Sequence, residues 1–261
     1  MSECISDYCV PSYTPTIGAL LNARRHISTI PAADAKILLA AVSKPFKWAR
    51  LHFVAAEIES IRTAIPSHVP VDFLGDFQCP EVKRTAMPTT NAILRKLPEA
   101  TVLHLACHGH QDRHNPLDSG FVMQDSMLTV AKLMALDLDK AFLAFLSACE
   151  TAKGDQAQPD QAIHLAATML FVGFRSVVGT MWYVDFMLLT VAMKEVTSFD
   201  RSMDDIDGPT VAKIVYEELY RAGAEMLDLD TIPYALDLAV RKLRASGLSA
   251  SRWAPYVHFG A

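Results

Sequence analysis

Thr101-Val102-Leu103-His104-Leu105-Ala106-Cys107-His108-Gly109 is an apolar run that ends in a His-Gly pair, and it reads as a buried strand leaving a sheet. Runs of the same kind recur at Lys36–Val42, Val69–Leu74, Ala141–Ala148 and Arg175–Met181. Between and after them, Leu51–Ile65, Cys79–Arg95, Gln161–Phe171, Thr210–Ala222 and Tyr234–Ala245 carry apolar residues at helical spacing. Strands alternating with helices from end to end predict a doubly wound α/β domain with a mainly parallel central sheet. Gly120–Val130, GFVMQDSMLTV, breaks the pattern. It reads as two short strands around a Gln124-Asp125-Ser126 turn, a small β-hairpin insertion that walls a cleft.

Open α/β sheets place their chemistry beyond the carboxyl ends of the strands, which directs attention to the residues after Cys107 and Ala148. On a strand of period two, His104 and His108 share one face and Cys107 takes the other. Gly109 lets backbone approach a ligand closely, so its N–H can donate to an oxyanion while the adjacent imidazole works as general base and acid. About forty residues on, Ala141-Phe142-Leu143-Ala144-Phe145-Leu146-Ser147-Ala148-Cys149-Glu150-Thr151 repeats the design, a hydrophobic strand delivering one cysteine to its carboxyl end. A thiol held beside an imidazole is activated toward a carbonyl. A cysteine after a buried strand also serves as a small core residue, and a histidine at a strand end as a hydrogen-bonded structural group.

His104, Cys107, His108, His110 and His114 are close in sequence, but residues four apart on a strand are separated by about 13 Å and neighbours face opposite ways. They do not converge on a tetrahedral zinc, and no metal or other cofactor is expected. His164 and His258 read as structural, and Asp112 and His114 as residues of a solvated loop.

The remaining composition narrows the function classes. The chain has 261 residues, 51% hydrophobic and 20% charged, with no linker-like run, and is read as one domain over 1–261. A net charge of −5 with scattered Lys and Arg offers no nucleic-acid footprint. The start lacks a basic segment followed by an apolar one, and no apolar run reaches the roughly 18 residues of a membrane helix, so neither membrane nor secretion is expected. Five cysteines without C-x-x-C spacing fit reduced thiols and a cytoplasmic setting. Dinucleotide, phosphate-loop and G-x-S-x-G signatures are all missing.

HLACHG, LSACET, RSVVGTMW and the terminal RWAPYVHFGA together resemble the CHAT domain family, relatives of caspases and separases. VPSYTPTIGALLNAR resembles the family's opening strand and helix, and GPTVAKIVYEELY with YALDLAVRKLR its closing helices, so the resemblance covers about 10–261. It implies a three-layer α/β/α caspase-like fold and a cysteine endopeptidase acting on protein or peptide substrates. On the matching motifs, His108 becomes the general base and Cys149 the nucleophile. Gly109 and the Cys149 N–H would form the oxyanion hole, with Glu150 and Thr151 orienting the turn.

The match breaks after GTMW, where Tyr183–Ser202 separates the motif from MDDIDGP and is read as an insertion relative to the family. Asp185 imitates the acidic segment that relatives carry there, while Asp204, Asp205 and Asp207 hold its counterpart. Asp185, Asp204 and Asp205 are candidates for the substrate pocket, and an acidic pocket favours a basic residue before the cleaved bond. The insertion reads either as an added helix or as a retained intron, since Trp182-Tyr183-Val184 can be encoded across GTATGT. A disturbed pocket loop leaves a second reading open, a catalytically silent CHAT module serving protein–protein interaction or signalling, with a regulatory protein partner.

Overall fold

All five apolar runs become strands of one sheet. The computed structural model describes residues 4–25, 29–77, 86–112, 114–147, 163–180, 206–221 and 224–260. In chain order the strands are β1 (Thr29–Pro31), β2 (Ile37–Ala41), β3 (Val71–Gly75), β4 (Val102–Ala106), β5 (His108–His110), β6 (Gly120–Val122), β7 (Met127–Thr129), β8 (Leu143–Leu146), β9 (Ser176–Thr180), β10 (Met226–Asp228) and β11 (Tyr256–Gly260). The α-helices are α1 (Ile17–Arg25), α2 (Val54–Ala64), α3 (Thr90–Lys96), α4 (Val130–Leu133), α5 (Ile163–Phe171), α6 (Gly208–Leu219), α7 (Thr231–Ala245) and α8 (Ala250–Trp253).

The central sheet runs β11-β9-β8-β4-β2-β3, parallel throughout except for the antiparallel edge strand β11. Its strands bury both faces because helices cover both. Ile37, Leu39, Val102 and Phe145 pack with Ile58 of α2, Val215 of α6 and Leu236 of α7. Leu38, Ala40, Leu103 and Leu105 pack on the other side with Ile93 of α3, Leu133 of α4 and Met169 of α5. The result is the expected three-layer α/β/α sandwich.

Three details differ from the expectation. First, the run 101–107 does not continue into His108. Strand β4 last pairs β8 at Leu105↔Leu146 and β2 at Ala41↔Ala106, so the ladder has no partner beyond Ala106. The chain bends at Cys107, and His108 opens β5, which pairs β6 at His108↔Val122. The predicted hairpin β6–β7 is thereby the outer part of a three-stranded sheet.

Second, of the helix expected over Cys79–Arg95, residues 79–85 lie outside the described residues, and α3 begins at Thr90. Ala86 instead bridges Leu74 in parallel, and Thr89, after Pro88, caps the helix by accepting the Ala92 N–H. Third, the opening strand shrinks to Tyr13, which bridges Phe259 at the edge of β11. The short antiparallel pair β1–β10 was not legible in the sequence.

Candidate functional site

His108 lies where the central sheet gives way to the three-stranded one, and it is 5% exposed. Its Nε2 is 2.7 Å from the carbonyl oxygen of Ala49. A carbonyl can only accept, so Nε2 carries the ring proton and Nδ1 is the basic nitrogen. That Nδ1 is buried and, among the described residues, has no hydrogen-bond partner.

Ala49 belongs to the loop between β2 and α2. The loop is closed by the Leu51 N–H donating to the Ser43 carbonyl at 3.0 Å. Its base is held by the Asp76 carboxylate, which accepts from the backbone N–H of Ser43 at 2.9 Å and of Lys44 at 2.6 Å. Lys47 takes a left-handed backbone at φ 68°, a conformation that costs a non-glycine residue about 1–2 kcal/mol. Next to it, Trp48 stacks on the His108 ring at 5.6 Å between centroids and 29° between planes, and meets His110 edge-on at 5.6 Å. One short loop therefore supplies both the acceptor that sets the His108 tautomer and the ring that sets its orientation.

His104 faces the other way from Cys107, as the strand period requires. Cys107 is buried in the core beneath α3 and α5. His104 is wholly buried and stacks on Phe145 at 4.8 Å. Its Nε2 lies 3.3 Å from Glu57 Oε1, within ion-pair distance but out of line for a hydrogen bond. The Tyr216 hydroxyl is 3.5 Å from His104 Nδ1, and burial, with Tyr220 and Glu57 beside it, pushes that phenol well above its ordinary value. A Cβ built on Gly208 would meet Glu57 Oε2 at 3.2 Å and Ser147 Oγ at 3.3 Å. Glu57 thus sits at the junction of α2, the end of β8 and the start of α6.

The other sequence candidates separate into placed and unplaced residues. Gly109 lies in β5 opposite Phe121. Asp112 accepts from the backbone N–H groups of Asn115 and His114, which hold its carboxyl below the usual range and make it a turn residue. Asp207 is buried. It forms a forked pair with Arg252, 2.7 Å from Nε and 2.6 Å from the second nitrogen, tying the start of α6 to α8. His258 is a core residue held between Ser12 and Ser176, each at 2.8 Å, and burial lowers its pKa to about 4. The side chain of His164, and Cys149, Glu150, Thr151, Asp185, Asp204, Asp205 and the insertion 183–202, lie outside the described residues.

A family model, the CHAT domain, matches residues 6–261. The chain belongs to the CHAT domain family. That family is one of caspase-like cysteine peptidases, and the mainly parallel α/β/α sheet of this CHAT domain is the caspase-like fold. Among curated proteins, none matches this CHAT domain. Among its described residues no helix is long and apolar enough to cross a membrane, and no three His, Cys, Asp or Glu side chains gather where they could hold a metal ion.

Trp48, Ala49 and Asp76 were missed in the sequence, and Glu57 was not singled out either. For Glu57 a signal existed, because it shares the core-facing helical stripe of Val54, Ile58 and Ile61. A backbone carbonyl such as that of Ala49 carries no residue signature at all.

Proposed function

We propose that this CHAT domain is a cysteine endopeptidase in which His108 is the general base and Cys149 the nucleophile. The observation that carries the reading is the polarised imidazole: Nε2 is tied to the Ala49 carbonyl at 2.7 Å, and the buried Nδ1 is left without a partner among the described residues. Such a nitrogen is an acceptor for a thiol proton. Topology supports the pairing. Strands β4 and β8 are parallel neighbours, so the chain leaves both at the same edge of the sheet, shortly before His108 and Cys149.

In this mechanism Nδ1 takes the Cys149 proton as sulfur attacks the carbonyl carbon of the scissile bond. The tetrahedral oxyanion is met by the N–H groups of Gly109 and Cys149, and Nδ1 returns its proton to the leaving amine. Water then hydrolyses the thioester, with Nδ1 again taking the proton, and the Ala49 carbonyl stabilises the imidazolium through Nε2–H. Glu150 and Thr151 orient the nucleophile's turn. The substrates are proteins or peptides, and Asp185, Asp204 and Asp205 remain candidates for the pocket of the residue before the cleaved bond. The insertion 183–202 belongs to the same domain in this reading.

The test is labelling by a panel of peptide acyloxymethyl ketones with different residues before the ketone, on the wild type, Cys149→Ala and His108→Ala. Labelling of the wild type that disappears in both variants is expected. A folded wild type that no member of the panel labels would remove the reading and leave a CHAT module that acts by interaction.

A further inference from the structure

We propose that the loop 43–51 is a specificity element that selects peptides carrying acidic residues beside the bond presented to His108. The inference rests on the peptidase reading of the site. Between Ser43 and Leu51 the sequence SKPFKWARL holds Lys44, Lys47 and Arg50 and no carboxylate, in a chain whose net charge is −5. All three cations are exposed, and among the described residues none makes an ion pair. Asp76, the carboxylate that the described residues place at the loop, is occupied by two backbone N–H groups at its base. Like charges gathered on one short loop repel one another, and an anionic partner relieves that repulsion.

Position ties the patch to the chemistry. Lys47 precedes Trp48, which stacks on His108, and Arg50 follows Ala49, whose carbonyl holds His108. Adjacent Cα atoms are about 3.8 Å apart, so both cations stem from within a single residue step of groups touching the imidazole. A peptide whose scissile carbonyl sits near Nδ1 must pass within reach of them. Phe46, 74% exposed with Lys47 Nζ 5.3 Å from its ring centroid, adds an apolar contact at the loop tip. A surface pair is individually weak, and three acting together give a preference of roughly tenfold that falls with salt. Closeness to the candidate base favours a peptide over nucleic acid or an anionic membrane as the partner.

The decisive experiment compares ketone probes that share one residue before the warhead and carry either three Glu or three Lys upstream of it. Expected is about tenfold faster inactivation by the Glu probe. The difference should disappear in the triple variant K44Q/K47Q/R50Q, whose melting temperature checks that it is folded, and shrink at high salt. Equal rates on the wild type, or a preference that survives in the triple variant, overturn the inference while leaving the peptidase reading intact. If no probe labels at all, the peptidase reading fails, and fluorescence anisotropy of short Glu-rich and Lys-rich peptides on the same proteins decides the loop's role. Salt-sensitive binding of the Glu-rich peptide that the triple variant loses sustains it. Equal binding of the two peptides, or tighter binding of a single-stranded oligonucleotide or phosphatidylserine vesicles, overturns it.

Discussion

Glu57→Ala should damage this domain more than most single changes. The Glu57 side chain is 3% exposed and that of His104 0%, and the His104 ring also meets the rings of Phe145 and Tyr216. Deleting the Glu57 side chain leaves a cavity in the core and takes the polar neighbour, 3.3 Å away, from the buried His104 Nε2, which together cost about 3 kcal/mol. At about 2–4 °C per kcal/mol for a domain of this size, the melting temperature should fall by roughly 6–12 °C. Glu57→Gln keeps the volume and a hydrogen-bonding group and should lose only about 1 kcal/mol. The double replacement Glu57→Leu with His104→Phe removes both partners and should recover most of the loss. Calorimetry with urea titration reads these proteins together with the singles Glu57→Leu and His104→Phe. A loss below about 1 kcal/mol for Glu57→Ala, or a double variant as unstable as the sum of its singles, would refute the reasoning.

His258 predicts a pH effect of definite sign. Its pKa is lowered from 6.5 to about 4, so the unfolded chain takes up the proton first, and stability present above 6.5 is lost as pH falls toward 4. The loss is about 3 kcal/mol, and His258→Gln should flatten the urea-measured slope in that window; an unchanged slope would contradict the assignment. Gly120→Ala places a Cβ 2.3 Å from the Leu128 carbonyl oxygen, so the β6–β7 pair must part, and faster amide exchange at Leu128 is expected together with a loss of about 2 kcal/mol. Trp48→Leu removes the ring stacked on His108 and should slow ketone inactivation about tenfold with little change in probe affinity, whereas Trp48→Phe should stay within about threefold. Equal rates for Trp48→Leu and wild type would show that the stack does not position the imidazole.

The five parallel strands were legible because each must bury both faces, and a continuous apolar run such as Ala141–Ala148 has few other uses. The end of the run 101–107 was not. Nothing in Ala106-Cys107-His108 marks where the neighbouring strand stops offering hydrogen bonds, and that stop is what sends His108 into a second sheet. The role of Asp207 was not legible for a related reason: its partner Arg252 is remote in sequence and comes to it only through the packing of α8.

His108 could be named as the candidate base from its motif, but the contact that would fit it for that role could not. Its tautomer is set by a carbonyl that any residue at position 49 would supply, so side-chain identity there carries no information. What must be specified instead is the path of the backbone. Asp76 fixes the loop's base, the Ser43–Leu51 hydrogen bond closes it, and Lys47 turns it through a left-handed conformation so that Trp48 can lie against two imidazoles. The chemical selectivity we assign to Lys44, Lys47 and Arg50 occupies the side chains that this backbone task leaves free. Orientation of the base and choice of substrate can then share one nine-residue loop, because the first uses its backbone and one aromatic ring, and the second only its exposed cations.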